Sequence, residues 1–271
     1  FLQQSWLQDA TGGTPGLILH VAALLREAQI PPYISAYEIQ DRLGELLERQ
    51  YLSQLPASAR RALEILSLLP EIGIRGSVGK EMEAVCRALD LSPEVLESEL
   101  PSLESSGLVR RRARFIEVVP PRLADHLASN ALSRPDNLLA ALKLALEPGP
   151  FLRFLERFRN LPNDEVKATI SKLFRPTGWF PGLDSLIKNV RMMEMLAPAA
   201  PIPALRCLES ILMPLSEEEL KIRVVGDARR SLVWVLEDLA LRSATFEGAA
   251  KLLLVLAGAE NETFGINTRG V

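Results

Sequence analysis

The stretch "SPEVLESELPSLESSGLVRRRARFIEVVP" (residues 92–120) decides how this chain folds. Ser92 stands where a helix cap belongs, Pro93 suits the first turn, and acids follow near the helix's positive end. Gly107 ends that helix, with the left-handed geometry glycine tolerates there. "LVRRRARFIEVVP" then reads as two short strands around an arginine-rich turn. Upstream, "ASARRALEILSLLP" (57–70) is an amphipathic helix stopped by Pro70, and "IGIRGSVG" (72–79) is a loop or a very short strand. "KEMEAVCRALDL" (80–91) is the next helix. Downstream, "PRLADHLASNAL" (121–132) closes the unit with another helix. Three helices followed by a β-hairpin is the winged-helix pattern, here over residues 57–133.

On both sides the pattern is helical. Before the winged helix, "TGGTPGLILHVAALL" (11–25) places Pro15 at the start of a helix running to about Ala28, which "IPPY" (30–33) breaks. "SAYEIQDRLGELLERQYLSQL" (35–55) reads as a further helix, with Ser35 and Glu38 as a capping box. After it come helical segments separated by Pro or Gly, among them 136–147, 149–160, 164–175, 180–196, 202–213, 220–242 and 245–257. No fixed repeat period emerges, yet short-looped helices with one apolar face each favour an α-solenoid or an irregular helical array. The expected fold class is therefore mainly α. It divides into a short helical segment (1–56), a winged helix with a small β-hairpin (57–133) and a helical array (134–271).

Composition narrows the function classes. The 271 residues are 48% hydrophobic and 24% charged, with a net charge of -3. That balance fits a folded globular protein and exerts no general pull on nucleic acid or anionic membrane. No apolar run approaches the roughly 20 residues that span a bilayer. The chain opens on Phe1 and closes on "ETFGINTRGV", which we read as an internal piece of a longer polypeptide. Cys86 and Cys207 lie far apart within apolar helical patterns, so a disulfide framework is not expected and a reducing, cytoplasmic setting fits better. Two lone cysteines without clustered histidines give no zinc site.

The chain contains no GxxxxGK[ST], GxSxG, HExxH or CxxC motif. His20 and His126 each sit in a Leu/Ala-rich helix and read as structural histidines. No catalytic residue is assigned. A winged helix raises the question of DNA, which such domains read with the third helix. Residues 92–106 carry Glu94, Glu97, Glu99 and Glu104 and no Lys or Arg, a face that repels phosphates. Arg110, Arg111, Arg112 and Arg114 in the wing oppose that reading. They suit phosphates, the acidic helix beside them, or a neighbouring domain.

Gly13, Thr14 and Pro15, with Leu17 following, form a Gly-x-Pro motif ahead of an apolar helix, a winged helix and a helical array. This order of parts resembles the rear of the signal-transducing NTPases of the STAND class, including the NACHT and NB-ARC groups. The tail 256–270 is similar to a segment of large bacterial members. The resemblance implies that residues 1–56 are a helical lid and that Gly13, Thr14 and Pro15 bind ATP or ADP, with the proline packing on the adenine. In the class, a Met-His-Asp motif opens the last winged-helix helix and senses the β-phosphate. Here Pro120, Pro121 and Arg122 stand in that place, which puts an ADP-locked state in doubt and leaves Arg122 as the candidate phosphate contact.

The resemblance further implies an upstream nucleotide-binding domain as partner, a protein ligand on the array, and homo-oligomerisation of the parent. It implies a regulatory role such as anti-phage defence, the fragment itself not hydrolysing ATP. A winged-helix transcription regulator and a plain helical scaffold are the two other readings.

Overall fold

The computed structural model describes Ala22, Arg26 and residues 48–132, 135–161 and 164–259. Of the helix expected over 15–28 only Ala22 and Arg26 are described, both helical, and of the one expected over 35–55 only residues 48–55, where a π-helical turn, Glu48–Leu52, gives way to a turn. The main chain divides into two compact units between Arg157 and Phe158.

In the first unit a π-helical turn, Glu48–Leu52, leads to α1 (Ala57–Leu66). The short strand β1 (Ile72–Gly73), a 3-10 turn (Gly76–Val78) and α2 (Lys80–Ala88) follow. Then come α3 (Pro93–Ser105), the hairpin β2 (Val109–Arg112) and β3 (Phe115–Val118), and α4 (Pro121–Ala131). The three strands form one antiparallel sheet in the order β1-β3-β2. Ile72 pairs with Ile116, and Val109 with Val118. The alternation along β3 turns Ile116 and Val118 inward, as a half-buried strand requires.

Gly107 has φ +73, so α3 ends in the left-handed residue its sequence anticipates. Ser92 does occupy the cap position of α3, but its hydroxyl bonds the Glu94 carboxylate and not the helix backbone. Helix α1 packs on α3 and α4, and the wing leans on α3 through β2. Leu63, Val85, Leu96, Leu103, Leu123 and Leu127 are wholly buried between these elements. Each such side chain stabilises the fold by roughly 1.5–3 kcal/mol relative to exposure.

Two helices beyond residue 133 belong to this first unit in whole or large part. Helix α5 (Pro135–Ala145) packs on α2, and most of α6 (Pro148–Asn160) lies before the division at Arg157. The array as read from sequence starts at 134; the packing joins its first helix to the winged helix.

The second unit continues with α7 (Asp164–Leu173), α8 (Leu183–Lys188), α9 (Val190–Leu196) and a 3-10 turn, Ala197–Ala199. It then runs through α10 (Pro201–Leu212), α11 (Glu217–Arg223), α12 (Gly226–Ala240) and α13 (Phe246–Gly258). Two segments that read as single helices are each broken in two. Asn189 interrupts 180–196, with its side-chain amide donating to the Ser185 carbonyl at 2.9 Å. Within 220–242, Val224 and Val225 leave helical geometry and Gly226 takes φ +59.

The packing is irregular. Helix α12 meets α13 and also α9, and α13 meets α10 and α11, so spatial neighbours are not only sequence neighbours. Leu186, Leu208, Leu236 and Leu252 form the buried centre of this unit, and Phe174 stacks on Phe180 with centroids 5.7 Å apart. Among the described residues no helix is long and apolar enough to cross a membrane.

Candidate functional site

The wing is where sequence reasoning left the most open. Pairing of β2 with β3 sets Arg110 directly opposite Glu117. The Nε of Arg110 donates to Glu117 Oε1 at 2.5 Å, and Arg112 reaches the same oxygen at 3.0 Å. Arg111 turns the other way and makes two contacts with Glu104 of α3, at 2.6 and 2.8 Å. Three of the four wing arginines therefore spend their charge on carboxylates of the same domain, and one of those pairs fastens the wing to the third helix. Helix α3 keeps Glu94 and Glu97 on its exposed surface. A phosphate backbone approaching this face meets exposed acids first and wing cations already paired, an arrangement poor for nucleic acid.

Of the residues read as nucleotide contacts, Gly13, Thr14 and Pro15 lie outside the described residues. Arg122 is described by its backbone alone: Pro120 caps α4, Pro121 is its first residue and Arg122 its second.

A second constellation gathers one turn further along α4. The Nε2 of His126 lies 2.6 Å from Glu48 Oε2, and the other Glu48 oxygen bonds Arg60 of α1. The Asn130 amide lies 3.2 Å from the same ring nitrogen. A carboxylate only accepts, so the short contact keeps a proton on Nε2. The hydrogen bond from His126 is the main influence that holds the Glu48 carboxyl below the usual glutamate range, with Arg60 adding to it against partial burial. Glu48 thereby ties the turn that enters the winged helix to the domain's first and last helices. The sequence offered no signal for this, because the partners are 78 residues apart.

Helix α6 applies two arginines one turn apart to the same domain. Arg153 donates to Glu81 of α2 at 2.5 Å, and its guanidinium stands 5.7 Å from the centroid of the Phe115 ring in β3. Arg157 donates to Asp125 of α4 at 2.5 Å. Burial pushes the Arg157 guanidinium's pKa down, and Asp125 opposes that shift. The pair of contacts makes α6 a brace across the winged helix.

The thiols of Cys86 and Cys207 are both buried and pushed up to about 11, by burial first and for Cys86 also by Glu94 and Glu97. Neither is activated for nucleophilic work. Among the described residues no group of three His, Cys, Asp or Glu side chains is placed to hold a metal ion. No protein-family model, curated protein or solved structure matches the chain.

Proposed function

We propose that this chain is a non-catalytic regulatory region of a multidomain STAND-type ATPase. In this reading residues 1–56 form the lid over a nucleotide bound by a preceding domain, with Gly13, Thr14 and Pro15 on the adenine side. The winged helix carries the lid, and the helical array senses a protein ligand. Ligand on the array shifts the closed, nucleotide-bound arrangement toward an open, oligomerising one through differential contacts with the two states. Anti-phage defence in the cytoplasm is the setting that suits such a switch in a large bacterial protein.

The observation that supports this reading best is the internal pairing of the wing with Glu117 and Glu104. It leaves a winged helix whose third helix is acidic and whose wing is committed to its own domain, suited to protein contacts in preference to DNA. The Glu48 contacts with His126 and Arg60 add to it, because they couple the segment ahead of the winged helix to α1 and α4.

Two tests bear on the reading. The open reading frame upstream of Phe1 should encode a Walker A lysine within about 300 residues, the span a P-loop domain and its linker occupy; its lack there contradicts the proposal. Fluorescence anisotropy with duplex DNA at low salt should show no saturable binding. Salt-dependent binding removed by changing Arg110, Arg111 and Arg112 to Ala would favour a transcription regulator instead.

A further inference from the structure

One cleft of the first unit has the construction of a ligand site and is independent of the nucleotide reading. It opens between the 3-10 turn with α2 on one side and the α5–α6 junction on the other, and holds about 570 Å³. That volume is within the range of small-molecule sites. Glu81 is set into its wall with only 9% of its side chain exposed. One oxygen, Oε2, accepts from the Gly73 backbone N–H at 2.9 Å and from Arg153 at 2.5 Å. Among the described residues Oε1 has no partner, and it is not sealed from solvent. A buried carboxylate with one oxygen anchored and one open is a fixed acceptor for an incoming donor.

The charges around it are balanced. Lys80, Glu83 and Arg87 line the cleft from α2, and Glu147 lines it from the facing junction. None of these four forms an ion pair among the described residues. Glu81 meets Arg153 through Oε2 alone, and along the rest of the cleft two cations stand against two acids. A simple cation would meet Lys80 and Arg87, and a simple anion would meet Glu83 and Glu147. A ligand with both signs satisfies each. Lys80 and Arg87 are two helical turns apart, about 10 Å, which separates the regions where the two ends can rest. Leu146 and Ala84 supply apolar wall between them.

We propose that this cleft binds a small zwitterion, its ammonium end donating to Oε1 of Glu81 and its anionic end resting against Lys80 or Arg87. The ammonium stays protonated throughout; no bond is made or broken.

The test is an amide-resolved NMR titration of the full chain at low salt with 6-aminohexanoate, which carries both ends on one flexible chain. Hexylamine and hexanoate serve as single-ended controls. The expected result is saturable shifts at Val78, Ala84 and Leu146, with each control binding about five-fold or more weakly, the scale of one lost charge contact. Glu81→Gln should abolish the shifts. Because that change also breaks the Arg153 contact, the rim variants Glu147→Gln and Arg87→Gln are run beside it, and each should weaken binding about five-fold with the spectrum otherwise intact. Absence of saturable shifts, hexylamine binding as well as 6-aminohexanoate, or indifference to the rim variants would each overturn the proposal.

Discussion

His126 and Glu48 sit 2.6 Å apart, although 78 residues separate them. The contact places the entry to the winged helix under the control of its closing helix, and it sets a pH dependence. A carboxyl held below its ordinary value in the folded state contributes stability that is full above the unfolded value, near 4.5, and is lost as pH falls through the folded one. Glu48→Gln should therefore cost the first unit up to about 1 kcal/mol at pH 7, since both partners are partly exposed, and less at pH 3. Urea denaturation at the two pH values measures it; an equal loss at both would contradict the assignment.

The brace from α6 makes an asymmetric prediction. Arg157 keeps 11% of its side-chain surface and Asp125 keeps 32%. Asp125→Ala strands a buried guanidinium and should cost about 3 kcal/mol, whereas Arg157→Met removes the buried charge and fills much the same space, costing less. Thermal melts of the two variants decide the order, and the reverse order would refute the brace.

In the wing turn, Ala113 takes φ +52, a conformation that costs an L-residue roughly 1–2 kcal/mol. Ala113→Gly relieves that strain and gives back part of the gain in unfolded-chain entropy, so the net expectation is about 0.5 kcal/mol of added stability. Destabilisation by the same change would show that the turn is not as described.

Burial sets the behaviour of the thiols. With both pushed up to about 11, Cys86 and Cys207 should resist iodoacetamide at pH 8 in the native protein and react fully in guanidinium. Mass spectrometry of the labelled chain checks this. Prompt labelling of either native thiol would mean that its helix opens readily.

Local signals account for the parts of the fold that were legible in advance. The α3 boundary followed from Ser92, Pro93 and Gly107, and the hairpin from its apolar strands around the arginines. What escaped was non-local or depended on single backbone choices. Nothing in a helical period marks the break at Asn189 or the left-handed Gly226, because apolar spacing continues through both. The packing of α5 on α2 and the attachment of α6 through Arg153 to Glu81 need three-dimensional proximity that sequence spacing does not encode. The wing arginines show the middle case. Pairing with the acidic helix was one of several open readings; Arg111 realises it through Glu104, whereas the strand register gives Arg110 to Glu117 of β3, a partner that reading did not name.

The central claim is that this winged helix and its flanking helices regulate a nucleotide held by a preceding domain. The most direct measurement is the nucleotide released on denaturing the parent protein, purified with the region upstream of Phe1, compared with its Pro15→Ala variant. The account predicts about one ATP or ADP per parent chain, as a single nucleotide site requires, and a several-fold loss in the variant with the fold intact. A parent that carries no nucleotide, or a variant that retains it unchanged, would contradict the account.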